Sequence, residues 1–402
     1  MSDTTPSIDV EAAEECLMSL LTVEGLSGQE AAIAAAVSEA LMSLGVPSSA
    51  IRFDDANERI DLPTQTGNLI VDLPGTLAGP RLMFSTHLDT VQLCAGVKPR
   101  RDGDRIVTDG STALGGDNRT GCAVLITLAK TLIEQRLPHP PITLLFTVRE
   151  ESGIQGAKEL NASLLGSPAM CFNVDSKIPA DLIIGAVGQE SWQVEITGQA
   201  AHAGVAPEKG ISSTLVAAIA IAQAHRDGWF GKVIKPEGTG TSNVGVFGGK
   251  HDSPAGQATN VVTDYVLIKG ESRSSDASFA TSITAAFEKA FQDAALQVTS
   301  SDQAIAKVNF QSHAAYPPFN IAVDAPIVRH ALRAAEQLGL PSSTLFSNGG
   351  LDANWLVSHG IPTVTFGAGQ YEIHTVNEYV NLPEFIDGCR LAVALATQVI
   401  DG

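Results

Sequence analysis

The apolar positions in the first half of the chain fall into short runs bounded by glycine, proline and polar residues, which is the pattern of β-strands. The run at residues 67–74, GNLIVDLP, predicts a half-buried strand. The runs at residues 81–91, 142–152 and 169–176 predict inner strands, because their apolar positions are nearly continuous. Residues 121–132, GCAVLITLAKTL, have the spacing of a helix. Strand, helix and strand in this order predict an α/β layer.

The pattern changes after residue 187. Four strand-like segments then alternate with two helical ones, which predicts a compact α+β domain at residues 188–312. Its strands are expected at residues 190–198, 242–249, 260–273 and 304–312, and its helices at residues 211–225 and 276–296. Helix and strand alternation resumes after this segment, so residues 1–187 and 313–402 are expected to form one domain into which the other is inserted.

Composition agrees with two packed domains and narrows the choice of partners. The 402 residues are 44% hydrophobic, and 25 Lys and Arg against 44 Asp and Glu give a net charge of -19. This charge repels nucleic-acid phosphates and anionic lipid surfaces, so we expect neither as a partner. The acidic N-terminal segment does not resemble a signal peptide, no apolar run is long enough to cross a bilayer, and the five cysteines form no C-x-x-C pair. We therefore expect a cytoplasmic protein.

Candidate chemistry begins with His87 and Asp89 in FSTHLDTV, which lie two residues apart on a strand and therefore on one face. If His87 binds a metal ion, Asp89 can accept the second ring N–H and fix the tautomer. Two polar side chains that satisfy each other are the alternative. Asp117, in the glycine-rich turn LGGDNRTG, is our candidate for a carboxylate whose oxygens face two different cations, and a helix-capping aspartate is the alternative there.

Further acids and a histidine follow other apolar strands. Glu150 and Glu151 are adjacent where TLLFTV gives way to a turn, so their side chains diverge. One can bind metal while the other reaches a water held by the metal, although a solvated strand end would look similar. Asp175 closes the strand MCFNV and offers another oxygen ligand. His374, in GAGQYEIHTV, would supply nitrogen to a second metal ion.

The ordered set HLD, GGDN, REES, NVDS and EIHT resembles the M20 metallopeptidases, and SNGGLDANWLVSHGIPTV resembles their peptidase T-like branch. The resemblance implies a zinc-peptidase-like α/β catalytic domain, with a mixed sheet flanked by helices, and an inserted α+β lid or dimerisation domain. It implies two zinc ions, for which cobalt or manganese could substitute. One would be held by His87, Asp117 and Asp175, and the other by Asp117, Glu151 and His374. Glu150 would be the general base, and Asp89 the acid that orients His87.

The resemblance also extends to the inserted domain and to the substrate loop. His202, in GQAAHAGVA, matches a lid histidine that approaches the scissile carbonyl, and Arg273 matches an arginine associated with the substrate carboxylate. Asn260 matches a polar lid residue near the same site, and Gly350 belongs to the glycine-rich substrate loop. Taken singly, His202 and Arg273 would be read as surface residues. Lid strand edges in relatives often join two subunits, so a homodimer is compatible with this interpretation.

Together these features predict a di-zinc metallopeptidase that hydrolyses an amide bond in small peptides, in the manner of an aminopeptidase or tripeptidase. Two alternatives stay open from the sequence. The same site could remove the acyl group from N-acyl amino acids, or the chain could bind metal and peptide without catalysis. The complete set of ligands together with Glu150 favours an enzyme.

Overall fold

The computed structural model describes residues 7–400. The first six residues, on which part of the expectation against a signal peptide rests, and the last two lie outside the described residues. Two compact units divide the chain. One ends at Ala186 and resumes at Asn320, and the other is Val187–Phe319.

The strands and α-helices of the described residues are numbered in chain order. The strands are Ile51–Phe53 (β1), Leu69–Leu73 (β2), Leu82–His87 (β3), Arg100–Asp102 (β4), Arg105–Val107 (β5), Ile142–Thr147 (β6), Met170–Val174 (β7), Asp181–Ala186 (β8), Gly188–Thr197 (β9), Gly231–Lys235 (β10), Gly238–Gly248 (β11), Tyr265–Ser274 (β12), Lys307–Tyr316 (β13), Phe319–Asn320 (β14), Ser343–Ser347 (β15), Thr363–Phe366 (β16), Gln370–Tyr371 (β17) and Tyr379–Asn381 (β18). The α-helices are Val10–Leu21 (α1), Ala31–Ser43 (α2), Ala56–Arg59 (α3), Gly116–Glu134 (α4), Gln155–Lys158 (α5), Ser213–Arg226 (α6), Ala277–Ala295 (α7), Pro326–Gln337 (α8), Asp352–Ser358 (α9) and Leu382–Thr397 (α10).

The first unit contains a nine-stranded mixed sheet in the order β1-β2-β6-β3-β7-β16-β8-β14, with β15 beside β8. Strand β3 runs parallel to both β6 and β7, and β2 is antiparallel to β6. A mixed sheet flanked by helices was predicted from the sequence, and this prediction is confirmed.

Both faces of the central strands are covered, which explains their continuous apolar runs. Leu82 and Phe84 of β3 belong to the larger core with α1, α4 and α10, whereas Met83 packs into a smaller cluster that includes Leu356 of α9. The segment 67–74 was expected to be half buried, and this was wrong. Every residue of β2 except Asp72 is buried, because the strand lies inside the sheet with β1 and β6 on either side.

The second unit is a five-stranded antiparallel sheet in the order β10-β11-β12-β9-β13, with α6 and α7 packed against it. Four strands were expected here, and the fifth, β10, was missed. It forms a tight hairpin with β11, pairing Lys235 with Gly238, and only Val233 of its five residues is buried. Such a short edge strand has little hydrophobic pattern to reveal it. The last strand was expected to end at residue 312, but β13 continues to Tyr316.

Aromatic side chains fill the core of the second unit. The ring of Trp192 lies 4.8 Å from that of Phe287 and 5.5 Å from that of Phe310, measured between centroids. Trp192 comes from β9 and Phe287 from α7, so this contact joins sheet and helix. Within residues 7–400, no helix is both long and apolar enough to cross a membrane.

The first prediction concerns this aromatic contact. Phe287→Ala should reduce the free energy of unfolding by about 3–5 kcal/mol, because it removes a fully buried aromatic side chain and leaves a cavity. Urea unfolding followed by tryptophan fluorescence measures the change. Leu296→Ala is the control, since Leu296 is 64% exposed. Equal unfolding midpoints for the two variants would contradict the importance of this contact.

Candidate metal centre

The carboxyl ends of three neighbouring parallel strands meet at one edge of the large sheet. His87 is the last residue of β3, and Thr147 lies beside it at the end of β6. On the other side of β3, β7 ends at Val174. Glu150 and Asp175 follow β6 and β7 closely in the chain. Their side chains are therefore brought to the edge at which α/β sheets bind ligands.

Asp117 is the residue on which the site converges. Its Oδ1 lies 3.1 Å from Nε2 of His87, and its Oδ2 lies 3.4 Å from Nε2 of His374. The helix-capping alternative applies instead to the next residue, because Oδ1 of Asn118 accepts the N–H of Gly121 at 2.9 Å. The side-chain amide of Asn118 also donates to the carbonyl of Val174 at 2.6 Å, which ties the turn to the end of β7.

Each histidine has a second carboxylate beside it. Nε2 of His87 lies 3.8 Å from Oδ1 of Asp175, and Nε2 of His374 lies 2.8 Å from Oε2 of Glu151. The five predicted ligands thus divide into two groups that share Asp117. We call His87, Asp117 and Asp175 the first subsite, and Asp117, Glu151 and His374 the second subsite.

The donor set fits zinc. Protein ligands of zinc lie about 2.0–2.2 Å from the ion in a tetrahedral arrangement, which places two such ligands roughly 3.3 Å apart. The separations of 3.1, 3.4 and 3.8 Å bracket this value, and 2.8 Å is shorter, as in a direct ion pair. One potential ligand atom each from His87, Asp117 and Glu151 lies within 4.8 Å of the others. Imidazole nitrogen and carboxylate oxygen are both common zinc ligands.

Several acids are buried close together in this site, and both their burial and their charges shift the pKa values of its ionisable groups. Burial raises the pKa of Glu151 to about 7, with the charge of Asp117 adding to the effect, and burial also raises the pKa of Asp175. Hydrogen bonds to Asp117 and Glu151 raise the pKa of His374 to about 10. Burial opposes the shift at His87, yet hydrogen bonds to its neighbouring aspartates raise its pKa well above the ordinary value. Bound protons therefore offset the negative charge of the carboxylates in this site, and divalent cations could take the place of those protons.

Asp89 links His87 to the backbone of the glutamate pair. Nδ1 of His87 lies 3.0 Å from the carbonyl oxygen of Asp89 and 3.4 Å from its carboxylate. The same carboxylate accepts the N–H of Glu150 at 2.9 Å and that of Glu151 at 3.2 Å, and it accepts the hydroxyl of Ser27 at 2.5 Å. The orienting role of Asp89 stays a prediction, and its carboxylate also holds the turn after β6.

Glu30 was not predicted as part of the site. Its carboxylate is buried and accepts the N–H of Gly28 at 2.7 Å and that of Arg149 at 3.1 Å. Arg149 has φ 52°, a left-handed backbone conformation that residues other than glycine rarely adopt. The hydrogen bond to Glu30 helps to hold Arg149 in this conformation. Glu30 and Asp89 together therefore bind three consecutive N–H groups, those of residues 149–151. In the sequence, Glu30 looks like an ordinary acid at the start of a helix.

Two more polar residues, Gln370 and Asp352, were also missed. Gln370 donates to Oδ1 of Asp175 at 3.3 Å and accepts the hydroxyl of Thr120 at 2.8 Å, so it supports a ligand of the first subsite. Asp352 is buried and accepts the hydroxyl of Thr147, and burial raises its pKa to about 7. The signal for Asp352 in the sequence was an acidic residue shortly after the glycine-rich loop.

The predicted substrate-binding residues come from other segments of the sequence than the metal-ligand candidates. Gly350 is half-buried and lies two residues before α9 of the first unit. His202, Asn260 and Arg273 belong to the second unit. There, His202 and Asn260 are exposed and adjacent, since the N–H of Ala203 donates to the carbonyl of Asn260 at 2.9 Å. The guanidinium of Arg273 pairs with both carboxylate oxygens of Glu271, at 2.9 and 3.0 Å.

A mixed α/β sheet that carries His87, Glu150, Glu151 and Asp175 at or just after the carboxyl ends of its strands, with Asp117 and His374 beside them, is typical of a metal-dependent hydrolase. The chain belongs to peptidase family M20/M25/M40, whose family model matches residues 83–398. It is a metallopeptidase that hydrolyses peptide bonds, and the predicted resemblance to the peptidase T-like branch is confirmed.

Similar proteins cover nearly the whole chain. It is 33% identical over 383 residues to the uncharacterized protein YqjE of Bacillus subtilis, covering 95% of this chain and 96% of that protein. The crystal structure of the aminopeptidase PepT from Bacillus cereus has a TM-score of 0.83 and 33% identity, covering 97% of this chain and 98% of that one. A tripeptidase from Staphylococcus aureus has a TM-score of 0.86 and 29% identity over the same shares of the two chains.

The second prediction tests the turn that carries Asp117. An added Cβ at Gly121 would lie 2.0 Å from Oγ1 of Thr86 and 2.6 Å from Oδ1 of Asn118. Gly121→Ala should therefore displace the turn and weaken zinc affinity by about 10-fold or more. Zinc content after dialysis against buffers of defined free zinc measures the loss.

Gly245→Ala is the control for this substitution. A Cβ at Gly245 meets Nδ2 of Asn243 at 3.9 Å as its nearest neighbour, which is an ordinary contact distance. Wild-type zinc affinity in Gly121→Ala would show that Asp117 does not depend on the packing of this turn.

Proposed function

We propose that this chain is a two-zinc peptidase that removes residues from small peptides, in the manner of an aminopeptidase or tripeptidase. The observation that carries the proposal is the environment of Asp117. Each of its two carboxylate oxygens faces a different histidine, at 3.1 and 3.4 Å, and each histidine has its own second acid. This is the arrangement that a carboxylate shared by two ions requires.

Zinc bound in the two subsites would lower the pKa of a shared water and polarise the substrate carbonyl. His87, Asp117 and Asp175 would hold one ion, and Asp117, Glu151 and His374 the other. The buried acids that tie the surrounding turns in place would keep these ligands from moving as substrate binds.

Glu150 is the general base in this proposal. Its backbone is fixed by the N–H···O contact to Asp89, yet among the described residues no group hydrogen-bonds to its carboxylate. Its neighbour Glu151, in contrast, is engaged by His374 at 2.8 Å. Burial raises the pKa of Glu150 well above its ordinary value, with nearby acids adding to the shift. A carboxylate of raised pKa can take a proton from the attacking water and return it to the leaving amine.

Small peptides are the proposed substrates because the chain aligns along almost its full length with the aminopeptidase PepT and with a tripeptidase. Gly350 in the first unit, and His202, Asn260 and Arg273 in the second, stay predictions of substrate-binding residues from the sequence. A substrate carboxylate would compete with Glu271 for the guanidinium of Arg273. Homodimerisation through the second unit and a cytoplasmic location stay predictions from the sequence.

The third prediction separates metal binding from proton transfer. Glu150→Gln, and likewise Glu150→Ala, should retain two zinc ions per chain while kcat falls by about 10²–10⁴-fold, because the attacking water loses its proton acceptor. Zinc analysis and peptide hydrolysis are measured on the same preparations. Glu134→Gln on the surface of α4 is the control. Near-wild-type turnover of a zinc-loaded Glu150 variant would remove this residue from the base role.

The fourth prediction concerns the substrate class. Unblocked dipeptides and tripeptides should have a higher kcat/KM than N-acetylated tripeptides and than N-acetyl amino acids, since an aminopeptidase requires a free amino terminus. One panel of these compounds, assayed at fixed zinc concentration, measures the ranking. Preference for N-acetyl amino acids would instead identify a deacylase, and binding of peptides without product would identify a binding protein.

A further inference from the structure

A single hairpin, Gln370–Asn381, carries one of the five proposed ligands and contacts three others. The ligand that it carries is His374, which lies in its loop and contacts Glu151 at 2.8 Å. At one end, Gln370 donates to the carboxylate of Asp175 at 3.3 Å. Near the other end, Glu378 accepts the N–H of Asp117 at 3.0 Å. The hairpin therefore contacts both subsites and the residue that they share.

Glu378 makes the most extensive of these contacts. Its side chain is buried, with 2% of the residue exposed. Oε2 accepts the N–H groups of Leu114 and Gly115, both at 2.8 Å, while Oε1 accepts that of Asp117. Three N–H groups on one short turn thus point at a single carboxylate, which is the form of a backbone anion-binding concavity.

Two glycines make this concavity. Gly115 has φ 76°, a left-handed conformation that glycine adopts without strain, and it lies between the N–H groups of Leu114 and Asp117. A Cβ at Gly116 would lie 2.8 Å from Cγ2 of Val380 and 3.3 Å from Oε1 of Glu378. The hairpin and the turn are therefore too close for a side chain at this position. The concavity is shaped to accept the hairpin's own carboxylate.

Contacts of the residues that follow Glu378 in the hairpin also fix its position. Tyr379 stacks on Tyr371 across the hairpin, with ring centroids 5.2 Å apart, and the guanidinium of Arg105 lies 4.0 Å from the ring centre of Tyr379. Val380 is paired with Gln370 and with Ile106 in a four-stranded sheet of β17, β18, β5 and β4. Glu378 is therefore held by a rigid element, while His374 lies in the loop at φ 63°.

We propose that Glu378 is a positioning residue that couples the two metal subsites, because it fixes the backbone of Asp117 from the same hairpin that supplies His374. The proposal rests on the two-zinc function stated above. A displacement of the hairpin would move a ligand of the second subsite and, through three hydrogen bonds, the carboxylate that both subsites share. The hydrogen bond from Gln370 to Asp175 would also link a ligand of the first subsite to the position of the hairpin.

The chemistry of the carboxylate makes this role testable. In Glu378→Gln, an N–H₂ group replaces one of the two oxygens. If it replaces Oε1, it faces the N–H of Asp117. If it replaces Oε2, it faces those of Leu114 and Gly115. Either orientation sets donor against donor and leaves buried N–H groups unpaired. Glu378→Asp keeps the charge, but its shorter chain cannot reach all three groups.

The experiment compares Glu378→Gln and Glu378→Asp with wild type and with Glu372→Gln. Glu372 is exposed on the same hairpin, so its substitution makes the same charge change away from the concavity. Zinc stoichiometry and affinity are measured by titration against a competing chelator, and hydrogen exchange of the amides of Leu114, Gly115 and Asp117 is measured in the metal-free proteins.

We expect both Glu378 variants to lose about 10–100-fold in zinc affinity, with the two ions no longer binding together, and to exchange these three amides faster. Glu372→Gln should match wild type in both measurements. Folded Glu378 variants that bind two ions with wild-type affinity would overturn the proposal, even if their thermal stability fell. If Glu378→Gln does not fold, Glu378→Asp decides by the same two measurements. Fewer than two ions in the wild-type protein would instead contradict the proposed function itself.

Discussion

The repulsion among carboxylates that share one buried edge of the sheet is the constraint on which this structure depends. Asp117 and Glu151 have oxygens within 4.8 Å of each other, Asp175 lies 3.8 Å from His87, and the charges of Asp175 and Glu151 act on Glu150. Two like charges about 4 Å apart repel by about 4 kcal/mol near a protein surface, whereas a whole domain is stable by about 5–15 kcal/mol. Positive charge must therefore be held at this edge, and two histidines arranged around Asp117 provide places for two cations.

Backbone hydrogen bonds hold this cluster of acids in place. Glu30 and Asp89 bind the N–H groups of residues 149–151, and Glu378 binds those of Leu114, Gly115 and Asp117. The turn that carries Asp117 and the turn that carries Glu150 and Glu151 are thus each tied to buried carboxylates from distant parts of the chain. These acids cost free energy to bury, and the N–H groups that they satisfy offset that cost. The result is a rigid frame around side chains that repel one another.

The sequence predicts the site better than it predicts this frame. His87 and Asp175 end or follow inner strands, and the apolar pattern of those strands is enough to bring them to one edge of a sheet. Asp117 is marked by its glycine-rich turn, although its role and that of Asn118 as the helix cap became distinguishable only from the contacts. The resemblance to the M20 peptidases supplied the pairing of ligands. Glu30 and Glu378 bind backbone N–H groups more than 100 residues away, and no local pattern encodes such contacts. The short edge strand β10 was missed for a related reason, since its pairing rather than its composition makes it a strand.

The most direct test of the central claim is a crystal structure of the zinc-loaded protein, with the ions located by anomalous scattering at the zinc absorption edge. We expect two peaks, each about 2.0–2.2 Å from a different oxygen of Asp117. His87 and Asp175 should complete the coordination of one ion, and Glu151 and His374 that of the other. A single peak, or two ions that do not share Asp117, would contradict the two-zinc site proposed for this peptidase.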